Sequence, residues 1–446
     1  MKSERVITVA PKESNAKKHH QRLATHFKVS QAMSEAVQQV SVSAHDPKRP
    51  RRTARWIAGI VVLVLLATTI PLGISRYNIW RAKRSKDLAQ RCLALRQSKD
   101  WKQLALVSDE WRSWEASSPK AILFRAEAAQ AVGEYQLAAD LLYAVPIKSP
   151  ERLAALTERT TLLFGPLNQP LEAERACHEV LELEPRVFAI HQRLIYYYGI
   201  TLQQEELLRQ IYRSIELGCE PVEAYVYLML ADSLTFQNGF EVTNRWLSGD
   251  ITQERFLVAR TIHLWKNLSM ASSPDDETKE KLALAEKILA EYLEKYPENL
   301  AVLTFFANLA LNQGNVERVE TLLSRFPPGG TKDCRFWRIK GWLHAANDEH
   351  QLAEDAYRES LRLYPFSWSV RHELADILRR KRDFAQVAIM QELSLTGKQL
   401  RQELMEIPNA RSAPKNLLIK IRDYASQCGD DFVADALSRR LRQVKH

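Results

Sequence analysis

The stretch CRFWRIKGWLHAANDEHQLAEDAYRESLRLYPF, residues 334–366, decides how the rest of the chain is interpreted. Two small residues, Gly341 and Ala353, stand among bulky ones such as Trp337 and Tyr357. Small residues let two helices approach closely, while bulky residues fill the gap to the next pair. Pro365 closes the stretch, where it cannot continue a helix. The stretch therefore predicts two helices joined by a tight turn.

The same spacing returns along the chain with a period of 34 residues. Small and bulky residues keep corresponding positions in the segments 119–152, 154–187, 188–221, 300–333 and 368–401, and more weakly in 85–118. Repetition at this period is typical of solenoids, in which each helix pair buries its apolar face against its neighbours. Only 14 glycines in 446 residues also favour helix almost throughout.

The repeated unit resembles the tetratricopeptide (TPR) repeat, whose pattern residues 334–366 match at five positions: Trp337, Gly341, Ala353, Tyr357 and Pro365. Lys340 and His344 depart from it, since TPR repeats usually have Leu and Tyr there. The resemblance covers about 85–445 and implies an all-α, right-handed α-solenoid whose first helices line a concave face. Another repetitive helical bundle, half-a-TPR or HEAT-like, is the alternative.

The period loosens between residues 222 and 299. Apolar patterns there predict helices in AYVYLMLADSLTF, FEVTNRWLSG and ITQERFLVARTIHLWKNL. In the turn that follows, Ser273 can cap the next helix and Pro274 can take its first position. We therefore predict a solenoid over 80–401 with an insertion around 237–278. Residues 402–446 are predicted to form a linker and a C-terminal capping helix pair.

The net charge of +9 is placed unevenly. Residues 1–55 carry 12 Lys and Arg against 4 Asp and Glu, whereas residues 88–446 carry 46 basic and 49 acidic residues. Because residues 1–55 also have few large apolar side chains, we predict a basic, largely disordered arm. No nucleic acid is expected as a partner. The alternative is an arm that binds anionic lipid or nucleic acid, with the solenoid as spacer or regulator.

The run WIAGIVVLVLLATTIPLGIS, residues 56–75, contains no charged side chain. Twenty helical residues span about 30 Å, the thickness of a bilayer's hydrocarbon core. Trp56, Tyr77 and Trp80 lie where interfacial aromatic residues belong. We predict a transmembrane helix over 56–79 in contact with membrane lipid, acting as an uncleaved signal anchor; a long buried helix is the alternative. The basic arm favours a cytoplasmic N-terminus and a solenoid on the opposite, periplasmic or extracytoplasmic side.

No catalytic motif occurs in the sequence, whether for nucleotide binding, zinc hydrolysis or serine hydrolysis. HELAD at 372–376 begins like a zinc-binding helix but lacks the second histidine. The five cysteines include no CxxC pair, so neither a disulfide framework nor a zinc site is expected. We expect no catalytic, cofactor-binding or metal-binding residues. A divergent enzyme with its site around 222–275 is the remaining alternative.

The TPR resemblance also implies where a protein or peptide partner binds, namely at exposed first-helix positions of the concave groove. Carried over to this chain, these positions include the groove residues Asn308, Arg335, Arg338, Trp342, His372 and Arg379. Arginines around a tryptophan suit an acidic or aromatic peptide. The carboxylate-clamp pattern of chaperone-binding TPR proteins is not met. The sequence thus predicts a membrane-anchored TPR scaffold that mediates protein–protein interactions and has no catalysis of its own; it leaves the oligomeric state open.

Overall fold

The computed structural model describes residues 50–249, 252–270, 273 and 275–443, and every regular element in these residues is helical. The α-helices are α1 Pro50–Gln97, α2 Trp101–Trp114, α3 Pro119–Ala131, α4 Tyr135–Tyr143, α5 Arg152–Phe164, α6 Pro170–Leu183, α7 Phe188–Ile200, α8 Gln204–Leu217, α9 Val222–Leu230, α10 Gly239–Trp246, α11 Glu254–Ser269, α12 Asp276–Lys295, α13 Leu300–Asn312, α14 Val316–Ser324, α15 Cys334–Ala346, α16 His350–Leu363, α17 Trp368–Arg380, α18 Phe384–Glu406, α19 Lys415–Gln427 and α20 Asp431–Gln443. Two 3₁₀ turns, Pro328–Lys332 and Ala410–Ser412, complete the elements. The chain forms two units, Met1–Lys86 and Asp87–His446.

Helix α1 contains the predicted membrane span. Within the part of the chain that the structure describes, no helix combines the length and apolar character needed to cross a membrane. The backbone of residues 56–75 is helical, but among their side chains only Trp56, Leu63, Ile74 and Ser75 belong to the described residues, all of them exposed. Residues 1–49 of the predicted arm also lie outside the described part. The span and the arm therefore stay predictions.

The decisive stretch folds as the predicted pair of helices, α15 and α16. Asp333 caps α15 by accepting a hydrogen bond from the backbone N–H of Arg335 at 2.9 Å. A Cβ atom added at Gly341 would lie 2.7 Å from the ring of Tyr357, which is 1% exposed. The prediction that a small residue lets these two helices approach closely is thus confirmed.

The turns between the two helices of each pair recur with the same period. Eight described turns contain a residue with positive φ: Lys99, Gly133, Asn168, Leu202, Gly314, Asp348, Arg382 and Gly429. In seven of them the next residue donates its N–H to a carbonyl five residues earlier, as Glu349 does to His344 at 2.9 Å. This is the Schellman arrangement, which satisfies carbonyls at the end of the first helix. After Asn168, the N–H of Gln169 donates to the carbonyl of Leu163, six residues earlier. The turns recur every 34 or 35 residues in two runs, from Lys99 to Leu202 and from Gly314 to Arg382.

Two helix ends differ from the expectation. Helix α12 is capped by Asp275, which accepts from the N–H of Thr278 at 2.8 Å, and it begins at Asp276. Ser273 is therefore not the cap, because carboxylates at the first turn suit the positive end of the helix dipole better than a hydroxyl further away. Helix α18 continues to Glu406, since Leu400 and Leu404 keep its apolar face buried.

The last helix pair packs against the middle of the array. In an open solenoid each repeat contacts only its neighbours. Here the hydroxyl of Tyr212 in α8 donates to Asp430 Oδ2 at 2.7 Å, 218 positions along the chain. Arg440 in α20 donates to the carbonyl oxygen of Glu220 at 3.0 Å. One buried apolar core therefore runs from α7–α9 into α19 and α20, and α9 contacts both α18 and α19.

Candidate functional site

A cavity of about 330 Å³ lies among residues of α7, α8, α11, α13 and α15 and of the segment that follows α9. Part of its wall is apolar and includes Ile262, Trp265 and Phe305. The rings of Trp265 and Phe305 meet edge to face with centroids 4.9 Å apart, which fixes this wall. Asn312, which also lines the cavity, is exposed to solvent. The cavity therefore reaches the surface.

Lys266 brings a positive charge to this cavity from α11. Among the described residues, no hydrogen bond or ion pair joins its Nζ to another side chain or to the backbone. Burial lowers the pKa of the Lys266 amine to about 8, with repulsion from Arg335 and Arg401 acting in the same direction and Asp232 acting against it. The amine is thus half-buried and short of a negative partner, and it still carries a proton at neutral pH.

Two arginines on α15 also line the cavity, but each has a carboxylate of its own. Arg335 pairs with Asp333 at 2.6 Å. Arg338 donates to both carboxylate oxygens of Glu373 in α17, at 2.6 to 3.2 Å, and lies 3.5 Å from Asn308 Oδ1 in α13. Burial alone would lower the pKa of Arg338, yet the Glu373 carboxylate more than offsets this and raises it. Both guanidinium groups therefore stay charged and fixed.

The acidic side chain in the cavity, Asp232, holds the segment after α9 against the later repeats. It accepts from Ser367 at 2.8 Å and lies 3.9 Å from the guanidinium group of Arg401 in α18. Next to it, the hydroxyl of Tyr364 donates to the carbonyl oxygen of Leu228 at 2.7 Å. These contacts hold the end of α9 and the segment after it against the connection between α16 and α17 and against α18.

Two residues that line the cavity, Thr304 and Gln204, each have a buried polar atom without a partner. Thr304 is 4% exposed and Gln204 is 6% exposed, yet Thr304 Oγ1 and Gln204 Oε1 make no hydrogen bond within the described part of the chain. The amide nitrogen of Gln204 does contact Cys334 Sγ at 3.5 Å. Buried polar atoms in proteins are nearly always hydrogen-bonded, so these two residues are unusual among those that line the cavity.

The structure brings together three of the six predicted groove residues. Asn308, Arg335 and Arg338 line the cavity, and the contacts from Asn308 through Arg338 to Glu373 join the first helices α13, α15 and α17 on one face. We call this face, with the exposed His372 and Arg379 of α17, the first-helix face.

The other three predicted residues lie away from the cavity. Trp342 is half-buried and packs on the core of α13, while Arg379 pairs with Asp376 of its own helix at 2.5 Å. Sequence reasoning missed Lys266, which lies in the predicted insertion and outside the repeat pattern. Its position four residues after the buried Ile262 was the signal that could have found it. In the described residues no group of three or more His, Cys, Asp or Glu is placed to hold a metal ion.

Comparison with known proteins yields structural neighbours only. No family model matches the chain, and no curated protein matches it significantly. Among solved structures, pilF of Pseudomonas aeruginosa is similar at 17% identity, over 50% of this chain and 91% of its own, with a TM-score of 0.28. A tetratricopeptide repeat protein from Parabacteroides merdae is similar at 14% identity, over 58% and 98% of the chains, with a TM-score of 0.28. Yeast Tom70 is similar at 14% identity, over 80% and 89%, with a TM-score of 0.26. The TPR-like architecture of this chain rests on its own helix pairs and their period.

Proposed function

We propose that this protein is a membrane-anchored TPR-like scaffold that binds protein or peptide partners on the first-helix face. The observation that best supports this proposal is the line of contacts from Asn308 through Arg338 to Glu373, which joins three successive first helices. A continuous face of this kind suits an extended partner, because several repeats can contact it at once. His372 and Arg379 are exposed beside this line, and they offer a polar ring and a positive charge at its edge.

Site-specific cross-linking tests the proposed binding face. A photoreactive phenylalanine analogue in place of His372 is expected to capture a defined partner in membranes of the native host. The same analogue in place of Arg362 is the matched control, since Arg362 is 66% exposed but belongs to the second helix α16. Capture of the same partners in equal yield from both positions, or from neither, would rule out the first-helix face as the binding surface.

Charge reversal measures how much that face contributes. Arg379→Glu is expected to weaken binding of the captured partner by about fivefold, because one exposed ionic contact contributes about 1 kcal/mol. Helicity should not change, since Arg379 is exposed and its ion pair within the described part of the chain is with Asp376 of the same helix. Arg362→Glu is the control and should leave the affinity unchanged. Equal affinities of the wild type and Arg379→Glu would contradict the prediction.

The proposed anchor is the helix over 56–79, with the N-terminus in the cytoplasm and the solenoid across the membrane. Its support is the run of twenty uncharged residues and the aromatic residues at both ends. Trp56 is 76% exposed, Tyr77 55% and Trp80 47%, and exposed aromatic side chains at the two ends of such a run suit the level of the lipid headgroups. A reporter that functions only outside the cytoplasm, fused after residue 446, should be functional; activity of a cytoplasm-only reporter instead would reverse the orientation.

Two charges in the run should abolish membrane integration. Val62→Arg with Leu65→Arg places two guanidinium groups near the bilayer centre, where each costs about 3 kcal/mol. The variant is expected to leave the membrane fraction on alkaline carbonate extraction, whereas the wild type stays. Gln90→Arg with Leu93→Arg is the matched control, with the same spacing at exposed positions of the same helix. Retention of the first variant in the membrane fraction would refute the anchor.

A further inference from the structure

The charges that surround the cavity do not balance. Arg335 is paired with Asp333, Arg338 with Glu373, and Arg401 lies against Asp232. The net charge of each of these pairs is zero. Lys266, with no such partner among the described residues, leaves the cavity with one excess positive charge. Lys266 is half-buried, and an ammonium group without a protein counter-charge in a partly enclosed cavity attracts an anion.

The other residues that line the cavity indicate the size and polarity of the anion that would fit. Two further lining residues, Thr304 and Gln204, hold polar atoms without a partner, Thr304 Oγ1 and Gln204 Oε1. The first can donate or accept a hydrogen bond and the second can accept one. Ile262, Trp265 and Phe305 form an apolar wall. The volume of about 330 Å³ is at the lower end of the range for small-molecule sites. A ligand of a dozen or so heavy atoms, polar at one end and apolar at the other, fits these surroundings.

We infer that this cavity binds a monocarboxylate with an apolar body, whose carboxylate pairs with Lys266 and whose body packs on Trp265 and Phe305. A single excess charge favours a carboxylate over a phosphate, which carries about −1.5 to −2 at neutral pH. The two arginines add no net charge, because each is paired with its own carboxylate. The inference goes beyond the proposed scaffold role, because Lys266 and Trp265 belong to α11, outside the first-helix face, although Asn308 and Arg338 belong to both.

Calorimetric titration of the full chain in detergent with 3-phenylpropanoate tests the charge requirement. The wild type is expected to bind saturably, and 3-phenylpropanamide and phenyl phosphate to bind at least about tenfold more weakly. Lys266→Met should weaken binding of the acid by at least about tenfold, while Lys287→Met, which removes an exposed lysine of α12, should not. Thermal melting of each variant shows that it is folded.

A second pair of probes separates the two sources of such a carboxylate. A pentapeptide ending in phenylalanine is compared with the same peptide amidated at its C-terminus. Tighter binding of the free peptide than of 3-phenylpropanoate, lost on amidation, identifies a protein C-terminus as the source. Tighter binding of the small acid identifies a free metabolite. Either outcome supports the inference. Equal binding of acid and amide, preference for phenyl phosphate, unchanged binding by Lys266→Met, or no saturation up to about 10 mM would overturn it.

Discussion

Leucine in place of Gly341 is expected to lower the free energy of unfolding by about 3 kcal/mol, at the upper end of the usual cost of overpacking. A Cβ atom at this position would already lie 2.7 Å from the Tyr357 ring, and the rest of the leucine side chain would extend further into it. Tyr357 cannot move aside, because it is 1% exposed and packed among buried residues of α16 and α17. The substitution therefore forces α15 and α16 apart.

Urea denaturation followed by circular dichroism measures this effect. Ala346→Leu is the matched control: it introduces the same side chain in α15 at an exposed position, so its stability should stay within about 0.5 kcal/mol of the wild type. Combining Gly341→Leu with Tyr357→Ala should recover part of the loss, because the residues are in direct contact and their effects are not additive. A Gly341→Leu protein as stable as the control would refute the close approach of the two helices.

Methionine in place of Lys266 is expected to raise the free energy of unfolding at pH 7 by about 2 to 3 kcal/mol. The pKa of this amine is about 8 in the folded protein, against 10.5 for an unperturbed lysine. A lysine whose pKa is lowered by folding destabilises the protein while it is protonated in both states, that is, below about pH 8. Methionine fills a similar volume without the charge, and it leaves Arg335, Arg401 and Asp232 in place.

The sign of the pH dependence distinguishes this explanation from a change in packing. As the pH rises from about 8 towards 10.5, the folded protein loses the proton of Lys266 before the unfolded protein does. The free energy of unfolding of the wild type should therefore rise with pH until it nearly equals that of Lys266→Met. Urea denaturation at several pH values in this window measures it, with Lys287→Met as the control that should show no such trend. A Lys266→Met protein less stable than wild type at pH 7 would mean that Nζ makes a stabilising contact. Retaining a destabilising lysine is typical of a residue kept for function.

Much of the local structure could be predicted from the sequence, because it depends on residues close to one another in the chain. Gly341 and Ala353 predicted where two helices touch, and both are buried at that contact. The positive-φ residues that close the turns follow the same 34-residue period. Asn308 and Arg338 could be assigned to one face because successive repeats place equivalent positions side by side.

The 34-residue period did not predict the cavity. Lys266 lies in the predicted insertion, outside the repeat pattern, and Gln204 lies in a repeat whose residues were expected only to pack. What makes Lys266 unusual is partial burial without a counter-charge, and burial depends on which other helices cover a side chain.

The sequence by itself therefore determined the helix pairs, their period and the small residues between them, since these arise from contacts within one or two repeats. Only the tertiary structure decided that α19 and α20 pack on α8 and α9, where Tyr212 meets Asp430 across 218 positions. It also decided that the segment after α9 closes a cavity around one unpaired lysine. The physical reason is that a contact between distant repeats depends on the sum of all the rotations between them, which no single repeat encodes.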